Sequence, residues 1–393
     1  MVDLVAPWPA HRSIKWSVAG PDEIAAWVAE MDFEVAPAIR HAVTEAVHRS
    51  DLGYAPHLTD PELAGLVSDW YAKDFGWSFD PGQMVLLPDV MRGVELGIEL
   101  WSAPGEHVVV TTPVYPPFLE SLRYKGRRLA DAPLLHDGGR YVLDLDRIES
   151  HLAAGAPLVL LCNPHNPTGA VFTRAELVRL AEAVVRHDAR LIVDEVHAPL
   201  RYSTSGPHVT LPSLGADVAA RTLTVTSTTK AWNIPGLKCA LALAGTAEMH
   251  RRLTALPDAS FFGASPLGVH ASVAALRDGR SWLDEVRSET DARRHELADL
   301  LGSQLPEVSY DVPEATYLAW VDCRGLDLPG PGRAADFFLE HARVRLSPGE
   351  DYGTNGGGRV RLNFATSGAR LAQLVARLAE AAHHPPRTSD AKK

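Results

Sequence analysis

Between residues 107 and 244 short apolar runs recur, separated by longer amphipathic stretches, and this alternation limits the fold more than any other feature of the chain. The runs at 107–112, 157–163, 191–195, 222–227 and 239–244 have the length and β-branched content of buried strands. One intervening helix is legible in detail. Thr173 and Glu176 form a capping-box pair, and Leu177, Leu180, Ala181 and Val184 then repeat on one face. That helix joins two strand candidates in about the length that a parallel crossover needs. The pattern predicts an α/β fold: a large domain with a mainly parallel sheet sandwiched by helices, its ligand site outside the carboxyl ends of the strands.

From about residue 270 the texture changes to long helical patterns, such as 281–301, then the strand-like run 317–321 and a closing helix. A smaller α/β domain is expected there. The expected division is 1–50 as a segment joining the small domain, 51–270 as the large domain, 271–383 as the small domain and 384–393 as a disordered tail. A chain of 393 residues can bury cores of this size.

Four polar or aromatic positions fall at the ends of these strands. Lys230 closes Thr226-Ser227-Thr228-Thr229-Lys230, wedged before a tight Asn-Ile-Pro-Gly turn. A desolvated lysine loses its proton readily and becomes nucleophilic, as a Schiff base requires, although a strand-end lysine alone is also an ordinary rim residue. Asn166 lies in the turn after the 157–163 run, Asp194 ends the next strand, and Tyr115 sits in the rigid segment Thr112-Pro113-Val114-Tyr115-Pro116-Pro117-Phe118. A ring to stack, an amide for a phenolic oxygen, a carboxylate for a pyridine nitrogen and a lysine for an aldehyde are what pyridoxal 5'-phosphate needs. Read blandly, Asp194 caps a strand and Asn166 shapes a turn.

The order NPHNPTG, DEVH, STTKAWN resembles the class I/II aminotransferase superfamily of pyridoxal-phosphate enzymes (fold type I). Lys15-Trp16, the run from Trp27 to Phe33, Gly53-Tyr54, the Tyr-Pro-Pro-Phe segment and Arg361-Leu362-Asn363-Phe364 are similar to its MalY/PatB branch, the cystathionine beta-lyase-like carbon–sulfur lyases. The resemblance runs from about residue 11 to residue 368. It implies that Lys230 is catalytic and binds the cofactor together with Tyr115, Asn166 and Asp194. It places His197 where many relatives carry a tyrosine to the same phenolic oxygen; a satisfied buried histidine is the other reading. It assigns the cofactor phosphate to the amides of Val90 and Met91 at a helix start, to Ser227 and to Lys238. Many relatives have small residues at the first two positions and an arginine at the last, and a lysine supplies charge without a bidentate fork. Read blandly, Lys238 is a solvated rim residue.

Arg361 matches the clamp for a substrate α-carboxylate, and Arg359, two residues earlier on a strand, points the other way. Tyr54 matches a tyrosine that reaches the phosphate of a neighbouring subunit, which implies a homodimer with shared active sites. Where the family often carries Pro-Arg after the clamp, this chain reads Thr366-Ser367-Gly368-Ala369-Arg370. The run 353–358 is no dinucleotide fingerprint, because it does not join a strand to a helix; it reads as a mobile loop beside the substrate mouth. Tyr115, Trp232, Tyr352 and Asp32-Phe33 are further candidates for the pocket border.

The function implied is β-elimination from cystathionine or another cysteine S-conjugate to thiol, pyruvate and ammonia. The same residues also serve transamination or another quinonoid chemistry on an amino acid, so motifs alone do not separate these. A non-enzymatic regulator on this fold is the remote alternative, and residues 1–50 leave no room for a basic helix-turn-helix unit. A formal charge of −11 disfavours nucleic acid and anionic membranes as partners. Cys162, Cys239 and Cys323 are scattered, without a metal-ligand pattern, and fit a reducing compartment. No signal-like start and no apolar stretch near the roughly 18 residues of a membrane span is visible. The expectation is a cytoplasmic enzyme acting on a small amino acid.

Overall fold

The computed structural model describes residues 12–328 and 333–384. Apart from His384, the expected tail lies outside the described residues. A seven-stranded sheet forms the centre, in the order Met84–Leu87, Ala240–Ala244, Thr222–Thr226, Arg190–Asp194, Leu158–Cys162, His107–Val110 and Arg128–Asp131. Six of these strands share one direction; Ala240–Ala244 is antiparallel to both its neighbours.

Alternation along each strand feeds two cores. Leu158 and Leu160 face one side with Val94, Ile98 and Phe118, while Val159 and Leu161 face the other with Ile148, Leu177 and Leu180. Each such side chain contributes about 1.5–3 kcal/mol on full burial. The Thr173–Glu176 capping box is present in both directions, with Glu176 N donating to Thr173 Oγ1 at 3.3 Å and Thr173 N to Glu176 Oε2 at 2.9 Å.

The five expected strands all form, each ending one or two residues short of its apolar run at the carboxyl side except the last. Of the residues just beyond these ends, Asn163 N and Glu195 N still bond the neighbouring strands at Asp194 O and Val225 O, whereas Ser227 enters the site region. Two edge strands escaped the apolar pattern. Met84–Leu87 is only four residues long, and Arg128–Asp131 is half exposed with charged ends.

The second sheet is antiparallel, in the order Ser309–Tyr310, Leu318–Asp322, Arg359–Asn363, Ser347–Pro348. It packs with the long helices Arg280–Gln304 and Gly368–His383 in a third core. The N-terminal strand Ile24–Ala25 pairs with Val344–Arg345 beside this sheet, whereas helix Pro37–His48 packs on helix Pro266–Asp278. That last helix runs unbroken through residue 270, so the chain has no loop at the expected boundary.

Candidate active site

The parallel strands deliver their carboxyl ends to one edge of the sheet, and a cavity of about 530 Å³ lies over that edge. Asp194 is the last residue of its strand and pairs in register with Cys162. Buried at 3 % exposure, its Oδ1 accepts from Val196 N at 3.0 Å. Burial pushes the acid up to about 7, against the pull of that N–H and of Lys230. Lys230 lies in the turn that reverses the chain from Thr222–Thr226 into the antiparallel strand, a turn tied by Trp232 N to Thr228 O and Ile234 N to Thr229 O, each 3.0 Å. Burial lowers the amine to about 8, and the Arg361 guanidinium acts in the same direction.

On one flank, helix Val90–Trp101 begins at the cavity, with Asp89 as its N-cap accepting from Arg92 N at 3.0 Å. The helix can approach the sheet because Gly97 has no side chain. A Cβ there would lie 2.5 Å from Ile192 Cδ1. Val90 and Met91 line the cavity beside Ser227 and Lys238. Lys238 has a left-handed backbone (φ 52°) and reaches Asp89 Oδ2 at 3.2 Å. The Ser227 hydroxyl is occupied within the protein, 2.5 Å from Cys239 O and 2.8 Å from Thr229 Oγ1, so it must turn to donate to a ligand. Tyr115, the residue before helix Pro116–Tyr124, borders the cavity, and burial raises its phenol.

The roof is an N-terminal strip from Trp27 to Met31, bent at Val28 and Ala29 where Glu30 N donates to Val28 O at 2.8 Å, and its carbonyls alternate in direction. Trp27 O accepts from Arg361 Nη2 at 2.7 Å and from Ser347 Oγ at 2.8 Å. Ala29 O accepts from Lys230 Nζ at 3.1 Å and from the Tyr317 hydroxyl at 3.0 Å. The intervening carbonyls of Val28 and Glu30 face away and accept from Asn363 Nδ2 at 2.7 and 2.6 Å. Asn233 then fastens the strip's far end, accepting from Met31 N at 2.8 Å and donating to Met31 O and Phe33 O at 3.0 Å. One strip therefore holds both the lysine and the arginine.

Arg361 Nη1 donates to Asn166 Oδ1 at 3.0 Å, which leaves the Asn166 amide NH₂ as the group it can offer a ligand. Its neighbour Arg359 points away to Asp322 Oδ2 at 3.1 Å, as alternation predicts. His197 is buried and held neutral, pushed to about 3 by burial with Lys230 and Arg361 adding to the effect.

Of the expected site residues, Val90, Met91, Tyr115, Asn166, Asp194, His197, Ser227, Lys230, Lys238 and Arg361 all line one cavity. Tyr54 lies outside it and is fully exposed. Tyr352 borders the cavity, but Trp232 does not: it is buried against Trp70 and donates to Gly279 O at 3.0 Å. Asp32 is likewise turned away, buried in an ion pair with Lys15 at 2.5 Å. The run 353–358 is not a free loop but a packed turn. A Cβ on Gly356 would fall 1.9 Å from Gly349 O, and Thr354 bonds Asp131. Sequence reasoning missed Ala29, Thr229, Tyr317 and Ser347. Ala29 lay within the Trp27–Phe33 match, but a backbone carbonyl leaves no side-chain signal.

Among the described residues, two buried polar atoms in this shell, His197 Nδ1 and Arg361 Nε, have no partner, and Asp194 is an acid raised by burial. A ligand with a cationic ring nitrogen, an anionic ring oxygen, a carboxylate and a phosphate end satisfies this set, so the residues present fit pyridoxal phosphate carrying an amino acid. The fold is the pyridoxal-phosphate-dependent aminotransferase-like fold.

Residues 28–378 match the family described as aminotransferase class I and II, and the chain belongs to that family. It is 40% identical to a Mycobacterium leprae protein provisionally named cystathionine beta-lyase, over 94% of this chain and 95% of that protein. It is 30% identical to the cystathionine beta-lyase PatB of Bacillus subtilis, over 93% and 96%. A solved structure from Corynebacterium diphtheriae, provisionally described as a PLP-dependent beta-cystathionase, superposes with a TM-score of 0.90 at 34% identity, covering 95% of this chain and 97% of that one.

Proposed function

We propose that this chain is a pyridoxal-phosphate-dependent carbon–sulfur β-lyase, cleaving cystathionine or another cysteine S-conjugate with water to thiol, pyruvate and ammonia. The observation that carries the reading is the convergence of Lys230, Asp194, Asn166 and Arg361 on one cavity, in a chain similar over nine-tenths of its length to proteins named cystathionine beta-lyase.

When bound, the cofactor supplies an electron sink for the charge left at the substrate Cα. The protein's own groups do the rest. Asp194 would hold the ring nitrogen, and a cation there would bring its carboxyl back down from about 7. Asn166 would donate its NH₂ to the ring oxygen, beside a neutral His197. The amides at Val90 and Met91, the Ser227 hydroxyl and Lys238 would hold the phosphate, with the Tyr115 ring over the cofactor face. Arg361 would take the substrate carboxylate through its unpartnered Nε and a neighbouring N–H. The Lys230 amine, which Ala29 O holds at 3.1 Å, would act as the base at the Cα proton. Loss of the thiolate from Cβ completes the elimination.

We further infer a cytoplasmic homodimer in which Tyr54 serves the neighbouring subunit's phosphate. Its full exposure outside its own cavity supports this, as do the exposed Leu52 and Phe262. Among the described residues no helix is long and apolar enough to cross a membrane. The division into parts 51–270 and 271–383 belongs to the same reading, with a helix rather than a loop at the junction.

The deciding experiment incubates the purified yellow protein with L-cystathionine and S-alkyl cysteines in the absence of keto acid. Catalytic pyruvate, ammonia and thiol are expected. A single turnover that leaves the amine on the cofactor would instead establish an aminotransferase.

A further inference from the structure

Of the residues that line the active cavity, only Lys238 and Asp351 are exposed to solvent, their side chains 55 % and 52 % accessible. The cavity therefore opens at two rims of opposite charge. On another side it abuts a second cavity, of about 710 Å³, across a wall that includes the 3.1 Å contact of Lys230 Nζ with Ala29 O. Lys238 pairs with Asp89 at 3.2 Å beside the start of helix Val90–Trp101, on the flank read above as the phosphate end. Asp351 belongs to the other rim. It sits in the turn Gly349–Tyr352, whose Tyr352 ring has the Arg361 guanidinium 5.4 Å from its centre. Tyr352 O accepts from Val114 N at 2.9 Å, which joins this turn to the Tyr115-Pro116-Pro117 segment in one wall.

The Asp351 carboxylate is only partly committed. Its Oδ1 lies 3.4 Å from Arg333 Nη1, but Nε and Nη2 of that guanidinium bond Asp336 at 2.8 and 3.1 Å. Among the described residues its Oδ2 accepts no hydrogen bond. With Asp336 taking the fork of Arg333, the rim keeps a negative charge.

We propose that Asp351 is a specificity-determining residue: it meets the far end of the sulfur substituent and favours one that carries an ammonium over neutral or anionic ones. The inference rests on the lyase reading above. In that reading Arg361 takes the α-carboxylate, Asp194 and Asn166 take the ring, and the Lys238 flank takes the phosphate. Of the lining left uncommitted, Asp351 alone is both charged and exposed. A substituent too long for the cavity must pass out at a rim, and the Asp351 rim is the one the phosphate leaves free. Pro116, Pro117, Pro348 and Tyr352 can pack its methylenes, and the carboxylate receives its end. The distal ammonium of cystathionine suits this rim, while its distal carboxylate keeps its water because the rim is open. An ion pair so exposed is worth little, so the selection is a matter of a few-fold and is weakened by salt.

The test measures kcat/KM of the holoenzyme for three conjugates of matched length: S-(3-aminopropyl)-, S-butyl- and S-(3-carboxypropyl)-L-cysteine. The first is cystathionine without its distal carboxylate, and the third is cystathionine without its distal ammonium. The expected order is aminopropyl, butyl, carboxypropyl, each step on the order of 3-fold at low salt and shrinking in high salt. Asp351→Asn should flatten the series and Asp351→Lys should invert it; at an exposed position neither threatens the fold. Arg333→Gln, which frees Oδ1, should steepen it. Binding is read separately, by calorimetry with L-2,7-diaminoheptanoate and L-2-aminooctanoate, which match the first two conjugates in length but carry no sulfur. The diamine should bind on the order of 3-fold tighter and lose that advantage in Asp351→Asn. A flat series in the wild type, or a slope that survives Asp351→Asn, overturns the assignment. If no conjugate releases pyruvate while the diamine keeps its Asp351-dependent advantage, the lyase reading fails and the charge selection at this rim stands.

Discussion

The floor and the roof of the active cavity are built by different physics. The floor consists of strand ends, and Asp194, Asn166 and Lys230 stand where they do because strands packed on both faces fix their last residues. The roof is a single irregular strip held by side-chain donors that reach it from far along the chain: Asn363, Asn233, Arg361, Tyr317 and Lys230. A floor of this kind tolerates loss of one side chain without moving. A roof hung on individual hydrogen bonds shifts when one donor is removed, and each buried carbonyl left unpaired costs about 1–3 kcal/mol.

The largest expected effect belongs to the floor. Lys230→Ala should abolish the yellow absorbance band and lower kcat by roughly 10³-fold or more, with the fold intact by circular dichroism. Persistence of the band would remove the lysine from its assigned role. At the meeting of floor and roof, Arg361→Lys keeps the charge but loses the fork to Asn166 and Trp27 O. A rise in KM is expected, with kcat/KM down on the order of 10²-fold from about 2–3 kcal/mol of charged hydrogen bonding.

Asn363→Ala acts mainly on the roof: it removes one of two donors from the carbonyls of Val28, which keeps Glu30 N, and Glu30, which keeps Lys15 Nζ, and it leaves Ala365 N without its acceptor. We expect a loss of about 1–3 kcal/mol in denaturant unfolding, together with a fall in kcat on the order of 10-fold as Ala29 O drifts from the lysine. An unchanged kcat would mean that the strip does not position the base. In the wild type, the Lys230 amine is protonated below about 8 and cannot accept a proton, so kcat should decline as pH is lowered through that value. The buried His165 and His197, held neutral down to about 3, should add no step between pH 5 and 7. Tyr317→Phe should be the mildest change, about 1 kcal/mol, because Ala29 O keeps Lys230 as a donor.

The contrast also explains what could be read in advance. Every floor residue followed from local pattern: an apolar run, then the residue that ends it. Tyr115, Asn166, Asp194 and Lys230 line the cavity for that reason, whereas the other six expected residues found there followed from the family resemblance. The expectations that failed concerned reach rather than type. Trp232 sits two residues from the lysine but turns into the core, and the glycine run 353–358 is a packed turn because Gly349 and Gly356 touch backbone to backbone.

The amino-acid sequence alone determined the strands' raw material and the cofactor chemistry at the strand ends, because each is encoded within a few consecutive residues. Only the tertiary structure decided which carbonyls of the N-terminal strip face the lysine and the arginine, and that Asp351 stands at an open rim of the cavity. Those features depend on groups hundreds of positions apart meeting in space. A backbone carbonyl is common to every residue, so nothing in its own side chain announces the partner it will have.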